Sequence, residues 1–109
     1  MSRGGTYVAV STTVDSEIKA QELARGIVEH RLAACVQFFP VRSIYRWKGV
    51  MDSSAEFLLV AKTRRVLTAR LMDFVRKHHT YEVPEIIVTP IEGGMKGYLA
   101  WITSETRSG

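Results

Sequence analysis

The chain has 109 residues, 46% hydrophobic and 24% charged, the size and balance of one globular domain, which excludes a disordered, collagen-like or disulfide-scaffold polypeptide. The single cysteine, Cys35, cannot form an intrachain disulfide and would leave any structural zinc site to histidines and carboxylates. With no signal-type apolar segment and no apolar run of membrane-spanning length, one domain over 1–109 is expected, cytoplasmic, with flexible tails at 1–5 and 104–109.

Residues 6–13, TYVAVSTT, are β-rich and end in hydroxyl residues, so a first strand runs into a helix cap, for which Asp15 is the candidate. Ala20, Leu23, Ala24, Ile27 and Val28 then recur at helical spacing, opposite Lys19, Glu22, Arg25 and Glu29, which predicts an amphipathic helix. Gly26 inside it suggests a close packing contact or simple tolerance. A long strand over 34–47 follows, aromatic and β-branched, with a break at Pro40 that assigns it to a sheet edge or bulge. KGVMDSS supplies a hairpin connection to a central strand at 55–63. A second helix begins near Arg64, with Leu67, Leu71, Phe74, Val75 and His78 on one side and His79 on the flank of that stripe. EVPEIIVTPIE makes a fourth strand, and Gly93-Gly94 separates it from a short helical tail around YLAWI.

The order β-α-β-β-α-β predicts an α+β, ferredoxin-like sandwich: a four-stranded antiparallel sheet, two helices on one face and a short C-terminal helix. The second strand lies at an edge in this topology, and so long an aromatic edge is expected to pair with another subunit. Fifteen basic and eleven acidic residues give a net charge of +4, with part of the excess in KTRRVLTAR. That run lacks interleaved stacking aromatics, so it reads as a solvated helix face, and nucleic acid is not an expected partner.

Five segments, RLAACV, SIYRWKG, EFLLVAKTR, HHTYEVPEI and YLAWI, together resemble the CutA divalent-cation tolerance family over nearly all of residues 7–102. The resemblance implies a compact homotrimer similar in architecture to PII signalling proteins. It implies a role in tolerance of divalent cations, copper especially, and no enzymatic reaction. Animal relatives have been connected with membrane anchoring of a cholinesterase. The copper ligands proposed for some members fall on His78, His79 and Thr12, where Thr12 replaces a cysteine and is a poor donor to a soft metal. Thr80 stands where the family usually has proline, and Cys35 lies in a separate segment and is no substitute for the missing thiolate. On the geometry of a helix alone, adjacent histidines diverge by about 100°, which favours one core and one helix-end side chain over a shared metal site; the resemblance restores the metal reading to equal standing.

Lys62, Tyr81, Glu82 and Glu85 are expected to line a polar cleft between subunits, with Ile44, Tyr45 and Trp47 at the trimer interface. Trp101 is a core or interface residue, and Cys35 reads as a small buried hydrophobe. Two alternatives stay open. One is a signalling trimer whose clefts bind a small anionic effector through Lys62, Arg64 and Arg65. The other, an acylphosphatase-like enzyme on the same fold, needs an Arg-Asn pair, and the chain contains no asparagine.

Overall fold

The computed structural model describes residues 5–109, so the tail expected at residues 1–4 lies outside the described residues. In chain order the elements are β1 (Tyr7–Val14), α1 (Glu17–Glu29), β2 (Cys35–Trp47), β3 (Val50–Arg64), α2 (Thr68–Lys77), β4 (Ile86–Ile91) and α3 (Lys96–Glu105). One turn of 3-10 helix, Arg65–Leu67, leads into α2. The strands form one antiparallel sheet in the order β2-β3-β1-β4, the expected ferredoxin-like arrangement.

Alternation along β1 turns Val8, Val10, Thr12 and Val14 to the helix side. There Val8, Val10 and Val14 meet Ala20, Leu23, Ala24 and Ile27 of α1, Leu71 and Val75 of α2, and Leu59 and Ala61 of β3. Each large side chain fully buried here contributes roughly 1.5–3 kcal/mol. Val28, expected on the buried stripe, sits about 80° from Ala20 around the helix and is exposed. Gly26 has a packing reason, because a Cβ at this position would come within 3.0 Å of Phe74 Cζ, where α2 crosses α1.

Three local expectations are corrected. The cap of α1 is Ser16, whose Oγ accepts the Lys19 backbone N–H at 3.2 Å, while Asp15 makes a solvent-exposed pair with Lys19 Nζ at 3.1 Å. The hairpin between β2 and β3 is far tighter than residues 48–54. Lys48 and Gly49 alone turn the chain, with φ of +51° and +82°, and Trp47 pairs directly with Val50. Positive φ at both central residues matches the strand twist and leaves β3 free to start at Val50. Pro40 does not break β2, because an edge strand has a ladder on one side only and tolerates a missing N–H.

Residues 104–106 are not a loose tail. Helix α3 runs through Glu105, Thr106 is buried, Arg31 donates to the Ser104 carbonyl at 2.9 Å, and Arg64 Nε donates to Thr106 Oγ1 at 2.9 Å. Tyr7 and Thr103 share a hydroxyl hydrogen bond of 2.6 Å, which sets α3 on the sheet face opposite α1 and α2.

Thr12 is 2% exposed, and its Oγ1 has no hydrogen-bond partner among the described residues. An orphaned buried hydroxyl costs about 1–3 kcal/mol. Thr12→Val, which keeps the shape and removes the hydroxyl, is therefore expected to stabilise the fold by about 1 kcal/mol. Ser16→Ala is expected to destabilise it by about 1 kcal/mol, and Asp15→Ala by less than about 0.5 kcal/mol. Urea denaturation midpoints of the three variants check the set, and equal losses at residues 15 and 16 would return the cap to Asp15.

Candidate functional site

Strand β3 is longer than the sheet behind it. Its pairing with β1 ends at Val14 opposite Phe57, so from Glu56 back to Val50 it is paired only to β2, and the two strands project as an arm. The loop after α2, residues 78–85, folds back toward the base of this arm. Between them lies a groove of about 910 Å³.

Glu56 stands at the base of the groove and is only 8% exposed. Tyr81 donates its hydroxyl to Glu56 Oε2 at 2.7 Å. Burial first, and then the Glu56 carboxylate, push the Tyr81 phenol far above its ordinary range, so Tyr81 remains a donor at any physiological pH. No lysine, arginine or histidine nitrogen lies within 4 Å of the Glu56 carboxylate among the described residues. Four further carboxylates, Asp15, Asp52, Glu82 and Glu85, line the groove; Arg46 is the one cation in its lining among the described residues, while Lys19 pairs with Asp15 and Lys48 with Glu82 at its margin. In a chain of net charge +4, the acids are concentrated here. The groove therefore carries an excess of negative charge in a partly desolvated cleft.

The structure brings together Tyr81, Glu82 and Glu85 on one bank and Ile44, Tyr45 and Trp47 on the other. It does not bring Lys62. That residue is six positions along β3 from Glu56, about 20 Å away, and its ammonium donates to Gln37 Oε1. Arg64 is committed to Thr106 and the Arg107 carbonyl, and Arg65 Nε to the Gly5 carbonyl at 2.7 Å. The three cations offered for an anionic effector thus serve the opposite end of the sheet. Cys35 also lies there, half-buried, across from Lys62 and beside Tyr98 of α3.

Glu56 was missed in the sequence because a strand over 55–63 leaves it at a terminus. Only with the two-residue turn at Lys48-Gly49 does it become a mid-strand acid, facing away from the helices in phase with Leu58, Val60 and Lys62.

The two histidines exchange the places expected of them. Helix α2 ends at Lys77, so the 100° step per residue does not apply to residues 78 and 79. His78 is exposed, stacks on Phe74 with ring centroids 4.2 Å apart, and places Nδ1 2.8 Å from the Phe74 carbonyl. His79 is half-buried, its Nε2 2.7 Å from the Thr13 carbonyl and its Nδ1 accepting the Tyr81 backbone N–H at 3.1 Å. Thr12 points into the helix-side core with no ring nitrogen bonded to it. Thr12, His78 and His79 do not fit a shared copper centre within one subunit. Among the described residues no group of three or more histidines, cysteines or acids has metal-holding geometry.

No helix among the described residues is long and apolar enough to cross a membrane. Residues 8–105 match the model of the CutA1 divalent ion tolerance protein family. Protein CutA of Homo sapiens is 45% identical over 105 residues, covering 95% of this chain and 59% of the human protein, so the chain spans less than two thirds of that relative. The divalent-cation tolerance protein CutA of Archaeoglobus fulgidus is 39% identical over 90 residues, covering 83% of this chain and 88% of its own length. The crystal structure of CutA1 from Oryza sativa superposes with a TM-score of 0.93 at 38% identity, covering 99% of this chain and all of that one. With residues 8–105 matched by the family model, and relatives and a solved structure of that family sharing about two fifths of the sequence and the fold, the chain belongs to the CutA1 divalent ion tolerance family.

Proposed function

We propose that the protein is a non-catalytic homotrimer in which the acidic groove, completed by a neighbouring subunit, binds divalent cations, with copper also taken up through His78. The observation that carries this reading is Glu56, a carboxylate more than nine-tenths buried, with a neutral donor on one oxygen and, among the described residues, no lysine, arginine or histidine nitrogen within 4 Å. A buried carboxylate is costly without a counter-charge, and a bound cation supplies one. Oxygen donors of this kind suit hard ions such as Mn(II) and Ca(II). His78 adds a softer contact: its Nδ1 is fixed as a donor to the Phe74 carbonyl, which leaves Nε2 as a bare imidazole nitrogen.

The trimer is supported by what one subunit leaves uncovered. Ile44 is 73% exposed, and Trp47, Val50 and Met51 on the same arm are also exposed. So are Phe39 and Ile87 on the sheet face opposite α1 and α2. A neighbour that covers β2 would satisfy the open strand edge and place the groove at a subunit boundary. The single cysteine supports a cytoplasmic setting as part of this reading.

Light scattering on the eluting protein is expected to give about three times the 12.3 kDa subunit mass. Ile44→Glu is expected to shift it toward monomer, because the new charge would be buried at the contact without a partner. A monomeric parent protein would end the trimer reading. Titration calorimetry with Mn(II) is expected to show binding that Glu56→Gln weakens by about tenfold or more, a difference of about 1.4 kcal/mol. Cu(II) is expected to retain a site in Glu56→Gln and to lose it in His78→Ala. Equal Mn(II) affinity in the parent and Glu56→Gln would remove the groove as the cation site.

A further inference from the structure

The bonding of the two histidine rings leads to different chemical roles. A backbone N–H can only donate, so the Tyr81 amide requires a lone pair on His79 Nδ1; a carbonyl can only accept, so Thr13 requires the proton on His79 Nε2. Both nitrogens are committed, and the ring is held as the neutral Nε2–H tautomer. Coordinating a metal through Nδ1 would orphan the Tyr81 amide, and through Nε2 would break the bond to β1. At His78 the Phe74 carbonyl sets the opposite tautomer, Nδ1–H, and His30 does the same toward the Gly26 carbonyl at 2.8 Å.

The chain of contacts through His79 leads into the groove. The ring bridges the end of β1 to the loop after α2 and leans on the Tyr81 ring at 4.7 Å between centroids, and Tyr81 reaches Glu56. Nδ1 accepting the amide two residues on closes the same kind of turn that an asparagine side chain closes. We infer that His79 is not a metal ligand but a positioning residue, a strut that fixes Tyr81 and through it the Glu56 carboxylate at the base of the cation groove. The positioning half of this inference rests on the groove reading; the tautomer half does not.

The first test is long-range 1H–15N NMR of the imidazoles in the full chain at about pH 8, above the ordinary range of imidazole. His79 is expected as the Nε2–H tautomer, and His78 and His30 as Nδ1–H. On addition of Zn(II), a diamagnetic probe, Nε2 of His78 is expected to move by coordination while both nitrogens of His79 stay in place. A coordination shift at His79, or an Nδ1–H tautomer there, overturns the inference.

The second test is Mn(II) titration of His79→Ala, His79→Asn and Glu56→Gln. The alanine variant is expected to bind about tenfold more weakly, and the asparagine variant, which keeps the acceptor for the Tyr81 amide but is a poor substitute for an imidazole ligand, to recover most of the loss. If Glu56→Gln weakens binding and His79→Ala does not, the strut is overturned and the groove stands. If neither weakens it, the groove reading falls and the positioning role falls with it.

Discussion

Much of this molecule depends on a mismatch in strand length. β3 has 15 residues, whereas β1 has eight and β4 six, so about half of β3 has, among the described residues, no strand beside it but β2. The helices cover only the part where β1 is present, since the core cluster draws its β3 residues from Leu59 and Ala61. The remainder becomes an arm of two strands. A two-stranded ribbon of this sort is marginal in water on its own. Its exposed apolar residues and open edge are the surface that the proposed trimer contact would cover. The groove arises at the same discontinuity, because Glu56 is the first residue past the last β1 partner, where a strand that would have covered it stops.

The electrostatics reinforce that placement. A protein of net charge +4 would be expected to repel cations at long range, yet screening limits such repulsion to about 10 Å at ordinary ionic strength. At the groove the local charges dominate. Tyr81 matters here because a neutral donor holds the Glu56 carboxylate in position without cancelling its charge, as an arginine would. The exposed pair Lys48–Glu82, 4.0 Å apart between the arm and the loop, neutralises little by comparison.

The fold was legible where the sequence has a period. The α1 stripe, the alternating β1 and the apolar β3 segment each left a pattern that assigns a face, and the chain order of the elements selected the topology. The local details depended on chemistry with a weaker signature. Lys48-Gly49 is not one of the strong hairpin dipeptides, so the turn appeared longer, and that error hid Glu56. Asp15 and Ser16 are both good caps, and only the backbone decides which oxygen meets the Lys19 amide. For His78 and His79, helical geometry was extended past Lys77, where the helix ends, and the two rings came out with their environments reversed. Tyr81, Glu82 and Glu85 line one groove because they lie within five residues of one short loop. Lys62 was not separable from them without knowing how far along β3 it stood.

The position of β1 has a kinetic consequence. It is the first strand of the sheet to be made and one of its two central strands, and its partners are remote: Tyr7 pairs with Arg64 on one side and with Ile91 on the other. The β2–β3 ribbon, closed by two residues, can form in microseconds, whereas both of β1's ladders await long loop closures. During synthesis at about 5–20 residues per second, β1 has an unpaired edge for several seconds before β4 emerges. Through that interval the nascent chain presents two open edges of one sheet, and the orderly capture of β4, rather than of another chain's strand, decides between a folded chain and an aggregate.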